Sequence, residues 1–410
     1  VSLNLPREGG VPAAIKPRPR LFGLNQASMM RWCTILLVQE ICVFIFLVLG
    51  THGLITKVKP GTTDYVSFYA AGHLANIGQA PMAYNHAAHY AAEVAATQPG
   101  IQYVFFFYPP VFLLVCSLLA RLPYLLSFVV FDTVTLTLYL AALRAILGAK
   151  GWRWMIPVLS FPVTFFVLGW GQNSFLTAAL LALGSVFLER RPIVAGLMFG
   201  LICYKPHFGI LIPLVLIVGG YWRAIFGAVI SVLATVGLSW AMFGSATWLA
   251  FWHGFAASPL MYQSGRIPFK FFITPFGAAR LMSLPPALAY DVQIIVSVAV
   301  AILVGWIWRS DTRPAIRGAS LIAGTLLVVP LALVYDLLMA MVAMAWLVAG
   351  LRQEGLLRGE KLAFVAIYAI SVLASGIAEH FGVPLGLLPG VLLLAICALR
   401  CFRKGRLAVT

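Results

Sequence analysis

Asp64 is the residue best placed to do chemistry. The chain holds only twelve Asp and Glu among its 410 residues. Asp64 is the first acid after the first membrane-length apolar run, and it opens a water-side loop. A carboxylate set just outside a bilayer can take a proton from a reacting hydroxyl, the work of a general base. The same residue begins the stretch DYVSFYAAGHLANIG (64–78), whose pattern predicts an amphipathic helix. Asp is also a favoured N-cap. The two readings differ in geometry: a base faces a substrate, whereas a cap turns onto its own helix.

The remaining polar candidates interrupt apolar runs. Tyr108 stands ahead of Pro109-Pro110. Gln172 and Asn173 form a polar turn between two apolar segments, where helix-end capping is the competing role. Lys205 precedes Pro206 and His207 inside a hydrophobic stretch, and snorkelling to the interface competes with a cavity role. Arg266 and Lys270 lie in SGRIPFKFF, and Tyr335-Asp336 come late in the chain. Asp336 is suited to orienting a substrate or to pairing with Lys205 or Arg266. His86, His89 and Glu93 fall on one face of an Ala-rich stretch. That spacing suits a metal, but the reading adopted is the wet face of a surface helix, with no metal site and no cofactor.

These residues need a frame, and composition says what it is. The chain is 62% hydrophobic and 10% charged, with mean hydropathy +0.97. Ordinary soluble domains are about half apolar and about a quarter charged. The expected fold is therefore all-α: a polytopic transmembrane helical bundle of about twelve spans. They fall near 33–55, 125–147, 154–169, 173–188, 192–205, 207–220, 224–243, 287–308, 315–331, 334–351, 362–379 and 384–400. The segment 105–121 has too short an apolar part and reads as a half-helix in the outer leaflet. With that choice, 21 of the 28 Lys and Arg fall on the inside, the usual sign of cytoplasmic loops.

The layout that follows is a basic, disordered cytoplasmic tail over 1–32, not a cleaved signal peptide, then one transmembrane domain over 33–400 and a short cytoplasmic tail over 401–410. Periplasmic loops cover 56–124 and 244–286, and the first carries surface helices at 64–78 and 83–97. The net charge of +16 sits in short gaps between spans. No basic run suggests nucleic-acid binding. Six cysteines lie in or beside apolar runs with no CxxC pair, as small helix residues do.

Taken in order, Asp64-Tyr65, Phe107-Tyr108-Pro109-Pro110, Trp170-Gly171-Gln172-Asn173, Arg190-Arg191-Pro192, Lys205-Pro206 and Tyr335-Asp336 resemble glycosyltransferase family 87 over roughly residues 60–350. This family of C-type membrane glycosyltransferases includes polyprenyl-phosphate-mannose-dependent mannosyltransferases. The resemblance implies many membrane helices, a sugar donor carried on polyprenyl phosphate, and a catalytic aspartate early in the first periplasmic loop, at Asp64. A sugar hydroxyl needs a base, and a leaving lipid phosphate needs fixed positive charge. Lys205, Arg266 and Lys270 are the candidates for that charge. Tyr108, Gln172, Asn173, His207, Tyr335 and Asp336 are candidates for sugar or acceptor.

The expected activity is transfer of a hexose, with mannose as the first candidate, from polyprenyl phosphate to a periplasmic-side hydroxyl. The acceptor would be a glycolipid, polysaccharide or other glycan, and the site would face the periplasm from a bacterial inner membrane. A transporter or flippase for lipid or lipid-linked sugar is the alternative, because broken helices like the one at Lys205-Pro206 occur in transporters. No internal inverted repeat supports it.

Overall fold

The computed structural model describes residues 26–50, 63–265, 267–310, 312–352 and 355–407. Arg266 lies outside these residues, as does the basic tail up to residue 25. The tail boundary moves, because residues 26–32 already belong to the first helix, α1 (Gln26–Gly50). At the other end, the tail expected over 401–410 is helical through Leu407.

After α1 come α2 (Tyr65–Asn76), α3 (His86–Ala96), α4 (Pro110–Leu119) and α5 (Tyr124–Leu147). Two short helices follow, α6 (Met155–Leu159) and α7 (Val163–Trp170), then α8 (Ser174–Phe187), α9 (Pro192–Leu201) and α10 (Leu211–Val218). Next is α11 (Trp222–Gln263), broken at Gly244, whose φ of 76° leaves the helical region. The rest are α12 (Pro275–Leu281), α13 (Pro286–Arg309), α14 (Pro314–Val328), α15 (Leu338–Gly350), α16 (Arg358–Phe381) and α17 (Leu388–Leu407). No strand occurs among the described residues, where a single bridge joins Phe272 and Leu333.

Proline sets many of these starts. Pro110, Pro192, Pro275, Pro286 and Pro314 each stand in the first helical turn, where no N–H is needed and φ is already helical.

The chain is an all-α membrane protein, but the expected dozen crossings are not reached on length. Six helices among the described residues are long and apolar enough to cross a membrane, and six more apolar helices have only 10–17 residues. At 1.5 Å per residue, a ten-residue helix such as α4 spans about 15 Å, half of a ~30 Å hydrocarbon core. The expected span 154–169 divides into α6 and α7, with Pro162 ahead of the second.

Long helices expose apolar side chains outward, among them Phe226, Leu233, Ile295 and Ile302. Short ones fill the middle. α14 and α15 are buried on nearly every side, as expected of helices that are apolar all round. α9 and α11 touch backbone to backbone: a Cβ on Gly196 would lie 2.0 Å from the Ala224 carbonyl, and one on Gly227 would lie 2.3 Å from that of Ile193. Small residues permit this contact.

The first loop differs from the expected pair of helices lying on a surface. α2 is enclosed by α3, α4 and the turn Ala80–Tyr84. Tyr65 and Phe68 are fully buried, and their rings meet Phe112, Phe128 and Phe131 at 5.1–6.0 Å. Aromatic pairs of this kind contribute about 0.5–1.5 kcal/mol each beyond their area, which fixes the start of α2. On α3, His89 and Glu93 are fully buried, not on a wet face as the spacing suggested.

Candidate active site

Asp64 sits immediately before α2, yet its side chain makes no capping bond to that helix. The carboxylate turns away and accepts a hydrogen bond at Oδ2 from the Gln172 side-chain amide. Its backbone N–H donates to the Trp170 carbonyl at 2.9 Å. Oδ1 accepts no hydrogen bond among the described residues, and the residue is half-buried. Burial pushes its pKa up to about 6, against the pull of the Gln172 hydrogen bond. A carboxylate near neutrality, with one oxygen held and the other open, has the properties of a general base.

The turn that holds it is the centre of the site. α7 ends at Trp170, and Gly171 takes the left-handed conformation with φ of 62°. A Cβ there would lie 2.6 Å from both Tyr65 and Phe128, so only glycine fits. The next three residues each reach a different charged group. Gln172 binds Asp64. Asn173 Oδ1 accepts from Lys205 Nζ at 3.4 Å, and Ser174 Oγ donates to Asp336 Oδ1 at 2.9 Å. Asn173 does not cap α8 with its side chain. The capping alternative therefore fails at both Asp64 and Asn173, because each side chain has a tertiary partner instead.

Lys205 and Asp336 form a buried ion pair, Nζ to Oδ1 at 2.9 Å. The lysine stands where the chain leaves α9 and the turn Ile202–Tyr204 with non-helical φ and ψ. Pro206 enforces that break by removing an N–H and excluding helical geometry from the residue before it. Asp336 sits in the turn Val334–Leu337 and also accepts the Leu333 N–H at 3.1 Å. Lys205 Nζ lies 4.5 Å from the Phe208 ring centre and 5.7 Å from that of Tyr335. Its charge is thus already matched, which sets it apart from a cation waiting for phosphate. His207 Nε2 is buried without a hydrogen-bond partner, as is Gln172 Oε1. Buried polar atoms left open in this way are costly and are natural ligand contacts.

Tyr108 reaches the same place from the first loop. Its ring packs on Phe68, Phe106 and Phe112, and its backbone carbonyl accepts from Tyr84 Oη at 2.9 Å. Its ring also stacks 6.5 Å from that of Tyr204, and burial raises its hydroxyl pKa, with Tyr204 and then Asp336 and Asp64 adding to the effect. Tyr204 links the two sides, since its hydroxyl donates to the Asn173 carbonyl at 3.3 Å.

Lys270 is elsewhere. It is half-buried, bonded to the exposed Glu379 at 2.6 Å, and lines a cavity of about 510 Å³ with Arg280, Ser283 and Phe269. Aromatic contacts connect it to the centre: Nζ is 5.2 Å from the Phe271 ring, and Trp170 lies 6.0 Å from both Phe271 and Tyr335. Arg266 falls outside the described residues. Among those described, no three His, Cys, Asp or Glu side chains gather as a metal would require.

Three contributions have no counterpart in the sequence reading, although Trp170 belongs to the motif quoted there. They are the Ser174 hydroxyl donating to Asp336, the Trp170 carbonyl accepting the Asp64 N–H, and Tyr204, whose hydroxyl donates to the Asn173 carbonyl at 3.3 Å. The available signal was the unbroken polar run 172–174 and the position of Tyr204 beside Lys205.

A family model described as glycosyltransferase family 87 matches residues 106–332. The match takes in Tyr108, the 170–174 turn, Lys205, His207 and Lys270; Tyr335 and Asp336 lie just past its end, whereas Asp64 lies well before its start at residue 106. No curated protein and no solved structure matches the chain.

Proposed function

Because the chain belongs to glycosyltransferase family 87, and is thereby a membrane glycosyltransferase, we propose that it moves a hexose from polyprenyl phosphate to an acceptor hydroxyl, with Asp64 as the general base. The acceptor is a glycolipid, polysaccharide or other glycan on the periplasmic side of a bacterial inner membrane, and mannose is the first sugar to try. Asp64 Oδ1 takes the acceptor proton as the hydroxyl oxygen bonds to the anomeric carbon. The bond from that carbon to the phosphate oxygen breaks, and its electron pair leaves with polyprenyl phosphate. One base and one displacement give inversion at the anomeric centre.

Other groups divide the remaining work. Gln172 holds Asp64 by one oxygen, and its open Oε1, together with His207 Nε2, offers hydrogen bonds to sugar hydroxyls. Lys205 and Asp336 fix Asn173 and Ser174, so the cation acts mainly through the turn. Lys270 and Arg266, in the second loop, are the cations for the lipid phosphate. Tyr108 and Tyr335 flank the sugar with aromatic faces.

One observation carries this reading: a half-buried carboxylate with one oxygen tied to Gln172 and the other unbonded. The test is incubation of the purified protein with a panel of polyprenyl-phosphate sugars and extracted lipids, with mass spectrometry for free polyprenyl phosphate and extended acceptor. Sugar transfer that vanishes in Asp64→Asn, with membrane insertion intact, supports the proposal. Equal transfer by parent and variant sinks it.

A further inference from the structure

Behind Asp64 lies a second pair of titratable groups that the proposed reaction does not use. His89 and Glu93 are successive turns of α3, and both are fully buried. Each has one end committed. His89 Nε2 lies 3.1 Å from the Ser67 carbonyl, and Glu93 Oε2 accepts the Val104 N–H at 3.2 Å. Their other ends face each other, Nδ1 to Oε1 at 3.5 Å, and both of these buried atoms lack any other partner.

Proton bookkeeping resolves the pair. A carbonyl only accepts, so His89 Nε2 carries hydrogen. In a neutral ring, Nδ1 then presents a lone pair. Facing an ionised Glu93, that lone pair would set acceptor against acceptor in a site with no water-exposed surface. A proton on Glu93 Oε1 satisfies both atoms at once.

We infer that Glu93 and His89 form a neutral, hydrogen-bonded pair, Glu93 Oε1–H donating to His89 Nδ1, that positions the start of α2 carrying Asp64 against the 101–109 segment carrying Tyr108. This rests on the reading of Asp64 as base. Ser67 is the link on one side, since its own N–H donates to the Asp64 carbonyl at 3.2 Å. Val104 is the link on the other, four residues before Tyr108. Holding Glu93 un-ionised also keeps a second negative charge away from Asp64.

Electrostatics agree with the geometry. Burial, followed by the charge of Asp64, pushes Glu93 up to about 8 against the Val104 hydrogen bond. Burial lowers His89 to about 4; the Ser67 carbonyl opposes this and His86 adds to it. The other titratable groups within reach of Glu93 are Tyr103, beside the pair, and Tyr124 at the start of α5. Neither carries charge at neutral pH.

Two measurements on the purified full chain test this. The first is thermal unfolding against pH for the parent, Glu93→Gln and Glu93→Ala, and it needs no substrate. The folded-state pKa of Glu93 lies above its ordinary value, so its stabilising contribution is complete at low pH and is lost as pH rises through about 8. The parent therefore loses melting temperature progressively from about pH 5 up to about pH 8. Glu93→Gln, which keeps a donor toward Nδ1 and an acceptor toward Val104, melts at or above the parent at neutral pH and loses that pH dependence. Glu93→Ala melts lower throughout. A Glu93→Gln protein that melts well below the parent at neutral pH overturns the inference, because an ion pair with charged His89 would then be the bond removed.

The second is the pH profile of polyprenyl phosphate release from polyprenyl-phosphate sugars. Glu93→Gln leaves the acid limb where it is in the parent. A shift of that limb to lower pH means that an ionised Glu93 had been acting on Asp64, and the inference fails. If no protein releases polyprenyl phosphate, the functional proposal fails and the unfolding series still decides the state of the pair.

Discussion

Gln172 donates its side-chain amide to the carboxylate of Asp64, joining two residues 108 positions apart. Everything proposed for the site passes through this bond. It holds one carboxylate oxygen, orients the other, and opposes the burial that raises the pKa of the acid.

Removing that bond has a definite sign. A hydrogen bond to a charged group contributes about 1.5–3 kcal/mol, and one pKa unit corresponds to about 1.4 kcal/mol. The transfer rate of the parent should rise with pH through about 6, because the base must be ionised. In Gln172→Ala this acid limb should move upward by about one unit, and the plateau should fall as well. A pH–rate profile of polyprenyl phosphate release checks both, and a limb that stays in place or moves down contradicts the role given to Gln172.

Asp64→Asn should separate activity from stability. The folded state raises the pKa of this acid, so stability tied to its proton is present at low pH and is lost as pH rises through about 6. At neutral pH the ionised group is a burden on folding, and its neutral amide is not. The variant should lose transfer while melting at the same temperature as the parent or higher. A lower melting temperature would mean that Asp64 serves the fold first.

How far was this legible in the sequence? The scarcity of acids marked Asp64 and Asp336, and the broken apolar run marked Lys205. Prolines at helix starts placed α4, α9, α13 and α14 within a few residues. Crossings were harder to read, because an apolar stretch such as 154–169 looks continuous until Pro162 splits it into α6 and α7. The pairing of residues 64 with 172 and 205 with 336 is a property of the folded chain, and one sequence carries no direct record of it. Gln172 and Asn173 read as a polar turn, but whether they cap helices or reach across the site depends on neighbours far away in the chain. The spacing of His89 and Glu93 predicts a wet face because an Ala-rich helix has no strongly apolar side to argue otherwise. The Ser67 carbonyl and the Val104 N–H are what allow the polar side to be buried.

The turn at Gly171 should tolerate no side chain. A methyl group there meets Tyr65 and Phe128 at 2.6 Å while the backbone sits at φ of 62°. Strain of this kind costs about 1–3 kcal/mol for the backbone alone, before the clash is relieved. Gly171→Ala should therefore lower the melting temperature and reduce transfer together, because the bonds to Asp64, Lys205 and Asp336 all start within three residues of it. A variant that melts like the parent and transfers normally would show that the turn can shift without disturbing the site.

Lys205 and Asp336 should be less tolerant of single than of double change. Removing one partner of a buried ion pair leaves the other charge stranded and costs about 3–5 kcal/mol, whereas replacing both by apolar groups is often neutral. Asp336→Leu and Lys205→Met should each be strongly destabilising, and the combination should recover much of the loss. A double-mutant cycle on thermal unfolding measures the coupling. Strict additivity would mean that the 2.9 Å contact contributes nothing specific to the fold.

Lys270 provides the contrast, because its partner Glu379 is exposed and their ion pair lies at the rim of the second loop. Salt screens such pairs, and they contribute little to folding. Neither Lys270→Ala nor Glu379→Gln should change the melting temperature appreciably. Their effects on the donor should be opposite. Losing the lysine removes positive charge from the proposed phosphate site and should raise KM for the polyprenyl-phosphate sugar. Losing the glutamate frees that charge and should lower it. Both effects should shrink as ionic strength rises, whereas kcat should change little, since neither group lies beside Asp64. If both variants raise KM equally, the ion pair itself shapes the loop and Lys270 is not reading a phosphate.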